Sequence, residues 1–168
     1  MEGYYWSALY VKSRTEKKVV ARLKEKGIKC FLPTVKTKVQ WSDRLKTVEK
    51  VVIPGYVFVK ISEREYYDVL NLPSVVTYVH SDGKAAKIRE SQIDSMRLLF
   101  ENSPNVQKEE CGIELGASVS IEYGPFKGFV GRVSRVKSTA KLTVVIEQLG
   151  FCLSLEVPNH YLAVNKAV

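Results

Sequence analysis

The chain has 168 residues, enough for one ordinary domain or two small ones, and its 45% hydrophobic and 26% charged content excludes wholesale disorder. No apolar run is long enough to span a bilayer, and Met1 to Lys12 lacks the basic start and small-residue cleavage site of a signal peptide, so a cytoplasmic location is expected. The net charge of +8 is concentrated: 14 Lys/Arg face four Asp/Glu between Lys12 and Lys60, while 12 face 13 from Ile61 onward. One basic region on an otherwise neutral chain suits a polyanion, nucleic acid first, or else a solvated lysine-rich surface.

Tyr4 to Lys12 alternates Trp6, Ala8 and Tyr10 against Tyr5, Ser7, Leu9 and Val11, which predicts a strand buried on both faces. Ser13-Arg14-Thr15-Glu16 reads as a capping box opening a helix that runs to Gly27, with Val19, Val20 and Leu23 as its core stripe. Ile28 to Leu32 returns as a strand. Thr34 to Ile53 predicts a long hairpin: Val35, Thr37, Val39 and Trp41 alternate with Lys36, Lys38 and Gln40 before the turn residues Ser42-Asp43-Arg44. Ile53-Pro54-Gly55-Tyr56-Val57-Phe58-Val59 is a central strand entered through a Pro-Gly bend. Ser62-Glu63-Arg64-Glu65 is a second capping box, whose helix stops before Pro73. Val75 to Val79 is a further strand, Ser81-Asp82-Gly83 a turn, and Ile93, Met96, Arg97 and Phe100 space a third helix.

Glu101 to Gly112 is polar and aperiodic, and reads as a linker. Beyond it Val119, Ile121 and Tyr123 alternate, as do Leu142, Val144 and Ile146, then Phe151, Leu153, Leu155 and Val157. Between the first of these runs and the rest lies Glu122-Tyr123-Gly124-Pro125-Phe126-Lys127-Gly128-Phe129-Val130-Gly131-Arg132-Val133. Its glycines suit a tight strand–turn–strand corner where one backbone approaches another. Short strands with glycine corners predict a small SH3-like β-barrel.

Catalytic signatures are missing from this pattern. His80 and His160 lie far apart, with no cysteine or carboxylate cluster at metal-ligand spacing beside either. Neither a Gly-x-Ser-x-Gly elbow nor a phosphate-binding loop ending in Gly-Lys-Ser/Thr is present. The expectation is a non-enzyme without metal or cofactor. Cys30, Cys111 and Cys152, odd in number and widely spaced, read as three reduced thiols.

With Gly116 and Val119 upstream, the glycine corner resembles the KOW motif, carried here by Gly116, Gly124, Pro125, Phe126, Gly128 and Gly131. Trp6 to Val11, a basic helix, and Pro54-Gly55-Tyr56-Val57-Phe58-Val59 resemble the N-terminal domain of NusG-like transcription factors, in which a KOW domain follows. The resemblance covers nearly the whole chain. It implies an α+β N-terminal domain over 1–103, a linker over 104–111 and a KOW barrel over 112–168. Trp41-Ser42-Asp43-Arg44 before the Pro-Gly-Tyr strand is similar to the UpxY-type paralogs that antagonise termination in capsular polysaccharide operons.

In that family the Pro-Gly-Tyr strand lies in a groove taking the clamp helices of RNA polymerase's largest subunit. Tyr56 and Phe58, two apart on one strand, share a face. The resemblance makes them anchors, with Trp6, Tyr10 and Tyr78 as walls; the residues alone leave open that they fill the core. Arg14, Lys18, Arg22 and Lys26 recur every four residues as a basic helical stripe whose like charges repel. Lys12, Lys18 and Arg22 are similar to positions that meet non-template DNA in specialised relatives. Arg14, Lys36, Lys38, Arg44 and Lys46 are read as further contacts to that strand or to nascent RNA, with Trp41 stacking on a base. The barrel is expected to recruit termination factor Rho or a ribosomal protein. The competing class is a KOW-containing ribosomal or ribosome-assembly RNA-binding protein, and within the family a housekeeping NusG. Residues 104–168 hold seven Lys/Arg and six Asp/Glu, too neutral a barrel for the ribosomal reading.

Overall fold

The computed structural model describes residues 3–110, 116–161 and 163–167. These divide into two compact units, residues 1–33 with 53–90 and residues 34–52 with 91–168. The hairpin and nearly all of the third helix therefore group with the C-terminal strands.

The first unit holds β1 (Tyr5–Val11), α1 (Glu16–Glu25) and β2 (Lys29–Phe31), then β5 (Tyr56–Ile61), α2 (Tyr66–Leu70), β6 (Val75–Tyr78), β7 (His80–Ser81) and β8 (Lys84–Ala85), with β3 (Thr34–Gln40) and β4 (Leu45–Val51) intervening in the chain. Its sheet runs β2-β5-β1-β6, all neighbours antiparallel. Leu9, Val11, Val57, Val59, Ile61 and Tyr78 point to one face, where they form a core with Val19, Leu23 and Ile28 at α1 and Val69 and Leu72 around α2. Alternation then sends Trp6, Ala8, Tyr10, Tyr56, Phe58 and Phe31 to the opposite face.

Local chemistry explains both helix ends. The Gly27 N–H donates to the Lys24 carbonyl (2.9 Å) and the Ile28 N–H to the Leu23 carbonyl (2.9 Å), with Gly27 at φ 71°. This Schellman arrangement satisfies carbonyls that would otherwise end the helix unpaired. At the other terminus the expected Ser13–Glu16 box does not form. Thr15 is the N-cap, Arg14 lies outside the helix at φ 64°, and Glu16 turns to a distant partner described below. The second box forms: the Glu65 carboxylate accepts from the backbone N–H and hydroxyl of Ser62, at 2.8 and 2.9 Å.

The second unit contains the β3–β4 hairpin, most of α3 (Glu90–Asn102) and a six-stranded sheet. The sheet comprises β9 (Gln107–Glu110), β10 (Ala117–Tyr123), β11 (Val130–Val136), β12 (Thr139–Ile146), β13 (Phe151–Pro158) and β14 (Ala163–Ala167). The order is β14-β10-β11-β12-β13-β9, and among the described residues β14 and β9 are edges, so the ladder is open where a closed barrel was expected. Part of the expected linker is therefore strand: Gln107–Glu110 pairs antiparallel with β13. Its Glu109 accepts from Lys141 (2.6 Å) and Ser154 (2.7 Å), and those bonds hold its carboxyl below the usual range. Residues 111–115, the end of the expected linker and start of the expected barrel, lie outside the described residues. Cys30 is a free thiol, but Cys152 is disulfide-bonded, which corrects the expectation of three reduced thiols.

The glycine corner is built as its sequence predicts. Gly124 and Gly128 have φ 82° and 92°, the Gly128 N–H donates to the Ile121 carbonyl (2.8 Å), and Phe126 and Phe129 are buried. A Cβ on Gly131 would stand 2.6 Å from the Thr143 carbonyl oxygen and 2.7 Å from the Phe129 ring; one on Gly116 would meet the Val133 carbonyl. Two buried polar residues join α3 to this sheet. Ser95 Oγ donates to the Val130 carbonyl and accepts from the Val130 N–H, both at 2.8 Å, while Gln92 Nε2 donates to the Val145 carbonyl at 2.8 Å.

Gly131→Ala is expected to lower stability by about 1–3 kcal/mol, because backbone and a buried ring must both move. Urea denaturation of the purified variant measures this; an unchanged midpoint refutes the close approach.

Candidate interaction surfaces

β1 and β5 place two aromatics directly opposite each other. Tyr10 pairs with Tyr56 in the antiparallel register, their rings lie 4.5 Å apart, and the Tyr56 hydroxyl donates to the Tyr10 hydroxyl at 2.5 Å. Tyr10 is 43% exposed and Tyr56 half-buried, so this end of the face is open. Burial, then the bond to Tyr10, pushes the Tyr56 phenol up to about 12.

Further along the same face, Phe58 and Trp6 are buried at 0% and 2% exposure. Phe58 has the half-buried Phe31 ring 6.0 Å away, and Trp6 bridges to Ile88. Phe58 thus shares Tyr56's face, as expected, but is not a surface anchor. Tyr78 lies on the other face, fully buried, stacked on Tyr66 with ring centroids 4.4 Å apart and donating to the Tyr66 carbonyl. It is a core residue and walls no groove on the Tyr56 side. Phe31 was missed: its strand was recognised, but not which side chain would oppose Phe58.

The Pro-Gly bend that introduces Tyr56 is held from two directions. Gly55, at φ 86°, accepts from the Val11 N–H (2.9 Å) and donates its own N–H to Glu16 Oε1 (2.9 Å). Glu16, only 5% exposed, therefore joins the start of α1 to the start of β5. The local Ser-x-x-Glu spacing concealed this partner, 39 residues away.

The basic residues separate into groups. Lys12 and Lys18 are exposed; Arg22 is half-buried and its Nη1 donates to the Pro73 carbonyl at 2.9 Å. Arg14 precedes α1 and Lys26 is its C-cap, so the expected four-residue helical stripe reduces to Lys18 and Arg22. On the hairpin, Val35↔Lys50, Thr37↔Val48 and Val39↔Lys46 share one face, and Lys36↔Glu49, Lys38↔Thr47 and Gln40↔Leu45 share the other. The Trp41 N–H donates to the Arg44 carbonyl (2.8 Å) across the turn, and Lys46 Nζ stands 5.1 Å from the Trp41 ring centroid. Lys36 and Lys38 therefore lie opposite Trp41, Arg44 and Lys46. Among the described residues no group of acidic, histidine and cysteine side chains is arranged to hold a metal, and no helix is long and apolar enough to cross a membrane.

Three variants test the geometry. Glu16→Ala strands the part-buried Gly55 N–H and is expected to cost about 1–3 kcal/mol in urea denaturation, with Glu16→Gln closer to the parent because an acceptor remains; equal stability of all three refutes the clip. The neutral Tyr56 phenol is the form the pair holds, so its contribution is complete below pH 10 and is lost as pH rises through about 12. Removing the partner hydroxyl in Tyr10→Phe is expected to make Tyr56 ionise at lower pH, and an unchanged ultraviolet titration would refute the contact.

The family described as "Transcription termination factor nusG" matches residues 4–97. The transcription termination/antitermination proteins NusG of Staphylococcus carnosus (strain TM300) and Staphylococcus aureus (strain Mu50 / ATCC 700699) are each 28% identical over 152 residues, covering 88% of this chain and 84% of their own. A solved structure described as "Domain interaction in Thermotoga maritima NusG" aligns with a TM-score of 0.52 at 22% identity, covering 94% of this chain and 95% of that one, a likeness of fold.

Proposed function

This chain belongs to the NusG family of transcription factors, which are not enzymes, and we propose that it holds RNA polymerase through the Tyr10–Tyr56 end of its first sheet. Binding RNA polymerase is general to the family. The observation that carries the proposal is that aromatic pair, Tyr10 exposed and Tyr56 half-buried, on the face turned away from the α1–α2 core. Two rigid, amphipathic rings at a sheet surface, already bonded to each other, suit an anchor: little side-chain freedom remains to be lost on binding. The partner segment is the pair of clamp helices of the polymerase's largest subunit, and the consequence is suppression of pausing and termination.

Exposed Lys12 and Lys18, with Arg14 and Arg22, supply phosphate contacts to the non-template strand. Residues 1–103 act as the polymerase-binding part, and the KOW part over 112–168 recruits Rho or a ribosomal protein, its tether raising the local concentration of a weak contact. The Trp41-Ser42-Asp43-Arg44 turn supports a specialised role in a polysaccharide operon. The family match over residues 4–97 favours this reading over a ribosomal protein sharing only the KOW glycines.

Replacing Tyr10 and Tyr56 together by Ala is expected to weaken binding of the full-length protein to core RNA polymerase by more than ~2 kcal/mol, the scale of an aromatic hot spot. Tyr67→Ala, which removes an aromatic that is 69% exposed elsewhere, serves as the control and should bind as the parent does. Parent-like affinity in a folded double variant overturns the assignment.

A further inference from the structure

The first unit carries a cleft of about 450 Å³ on the helix-covered side of its sheet, away from Tyr10 and Tyr56. Tyr5, Glu63, Tyr66 and Tyr67 line it from β1 and the turn into α2; Lys84 and Lys87 line it from β8 and the residues just after. Tyr66 is stacked on buried Tyr78, and the Tyr67 ring stands edge-on to Tyr66, with centroids 5.1 Å apart and planes at 80°. The tyrosine side is thus braced from below, while Tyr67 itself stays 69% exposed. Asp82 and Gly83, at φ 53° and 75°, make the tight turn that fixes where Lys84 starts the returning strand. Lys87 Nζ stands 4.7 Å from the Tyr5 ring centroid, and the Tyr5 phenol donates to the Glu63 carboxylate. Burial, then the Glu63 charge, pushes that phenol up to about 12, so it remains a donor at neutral pH.

We propose that this cleft binds a free guanine nucleotide, with the base stacked on Tyr67, its Watson–Crick edge at Glu63 and its phosphates on Lys84 and Lys87. The volume falls in the range of small-molecule sites, roughly 300–1,000 Å³. An open aromatic ring beside two ammonium groups and one carboxylate suits a planar ligand that is anionic at one end and offers N–H donors at the other. A carboxylate is an acceptor at both oxygens, so Glu63 keeps acceptor capacity beyond the Tyr5 bond. Guanine presents its N1–H and N2 amino donors side by side, a match for a carboxylate. Adenine has an acceptor nitrogen next to its amino group, and that lone pair would face the same charge. An aromatic carboxylic acid would use the ring and a lysine but bring Glu63 no donor. The cleft is separate from the polymerase anchor, because Tyr5 belongs to the odd-numbered side of β1 and Tyr10 to the even-numbered side.

The test is calorimetric titration of the full-length protein with GTP, ATP and inorganic triphosphate, without polymerase. GTP is expected to bind about tenfold more tightly than ATP, the scale of one hydrogen bond made rather than opposed. Tyr67→Ala should weaken GTP binding about tenfold through the lost stack. Lys84→Glu with Lys87→Glu should weaken both nucleotides and flatten the dependence of binding on salt. Glu63→Gln should narrow the preference for GTP over ATP, a change that a merely structural role would not produce. All of these side chains except the partly buried Tyr5 contact are at the surface, and circular dichroism confirms that each variant folds. No heat with GTP at millimolar concentration, equal binding of GTP and ATP, or unchanged binding in Tyr67→Ala each overturns the proposal. Triphosphate binding as tightly as GTP would reduce the cleft to an unspecific anion site and overturns it too. So does a guanine-containing oligonucleotide that displaces GTP at lower concentration, which makes the source a strand rather than a free nucleotide. Tyr67→Ala is expected to lose GTP and keep polymerase, and the Tyr10 and Tyr56 double variant the reverse, so the two readings fail separately.

Discussion

The antiparallel register of β1 against β5 is the constraint on which the first unit depends. With Leu9 opposite Val57 and Tyr10 opposite Tyr56, every odd-numbered residue from Tyr5 to Val11 turns towards α1 and α2, and every even-numbered one turns away. A slip of β1 by one residue would bury Tyr10 against the helices and expose Leu9, at a cost no local contact offsets. The register thus fixes together the core and the face that carries Tyr10 and Tyr56. It is held at its open end by Gly55, whose carbonyl receives the Val11 N–H while its own N–H reaches Glu16.

Polar atoms at buried positions do comparable work in the second unit. Ser95 and Gln92 stand on α3 where a helical pattern would place apolar residues, yet they are buried and bonded to the backbone of β11 and β12. Glu109 does the same from β9 through Lys141 and Ser154. These directional bonds specify where a helix and an edge strand meet the sheet, which apolar contact alone leaves adjustable.

Much of this was legible in the chain itself. Alternation placed Tyr56 and Phe58 on one face, and the glycine spacing located the corner at Gly124 and Gly128. Tyr78 was misplaced because Val75-Val76-Thr77-Tyr78 shows no apolar–polar alternation from which to count, although Val76 is exposed and Tyr78 buried. Glu16 was misread because a local capping pattern and a long-range backbone partner present the same residue. Gln107–Glu110 passed for linker because a short edge strand of charged residues carries no apolar period; what makes it a strand is its pairing with β13. The hairpin's two faces needed the register as well, since Lys50 joins Trp41 only once the turn at Ser42 and Asp43 is fixed.

The order β2-β5-β1-β6 also has a bearing on synthesis. β1 leaves the ribosome before either of its sheet neighbours, and the second of these is complete only at Tyr78. At translation rates of 5–20 residues per second, the interval between them is about 4 to 14 seconds. For that time a segment rich in tyrosine, tryptophan and valine has its hydrogen-bonding edges unmet, a state that invites pairing with other nascent chains. Nascent-chain companions that shield exposed strands would therefore act on β1 before its sheet partners exist.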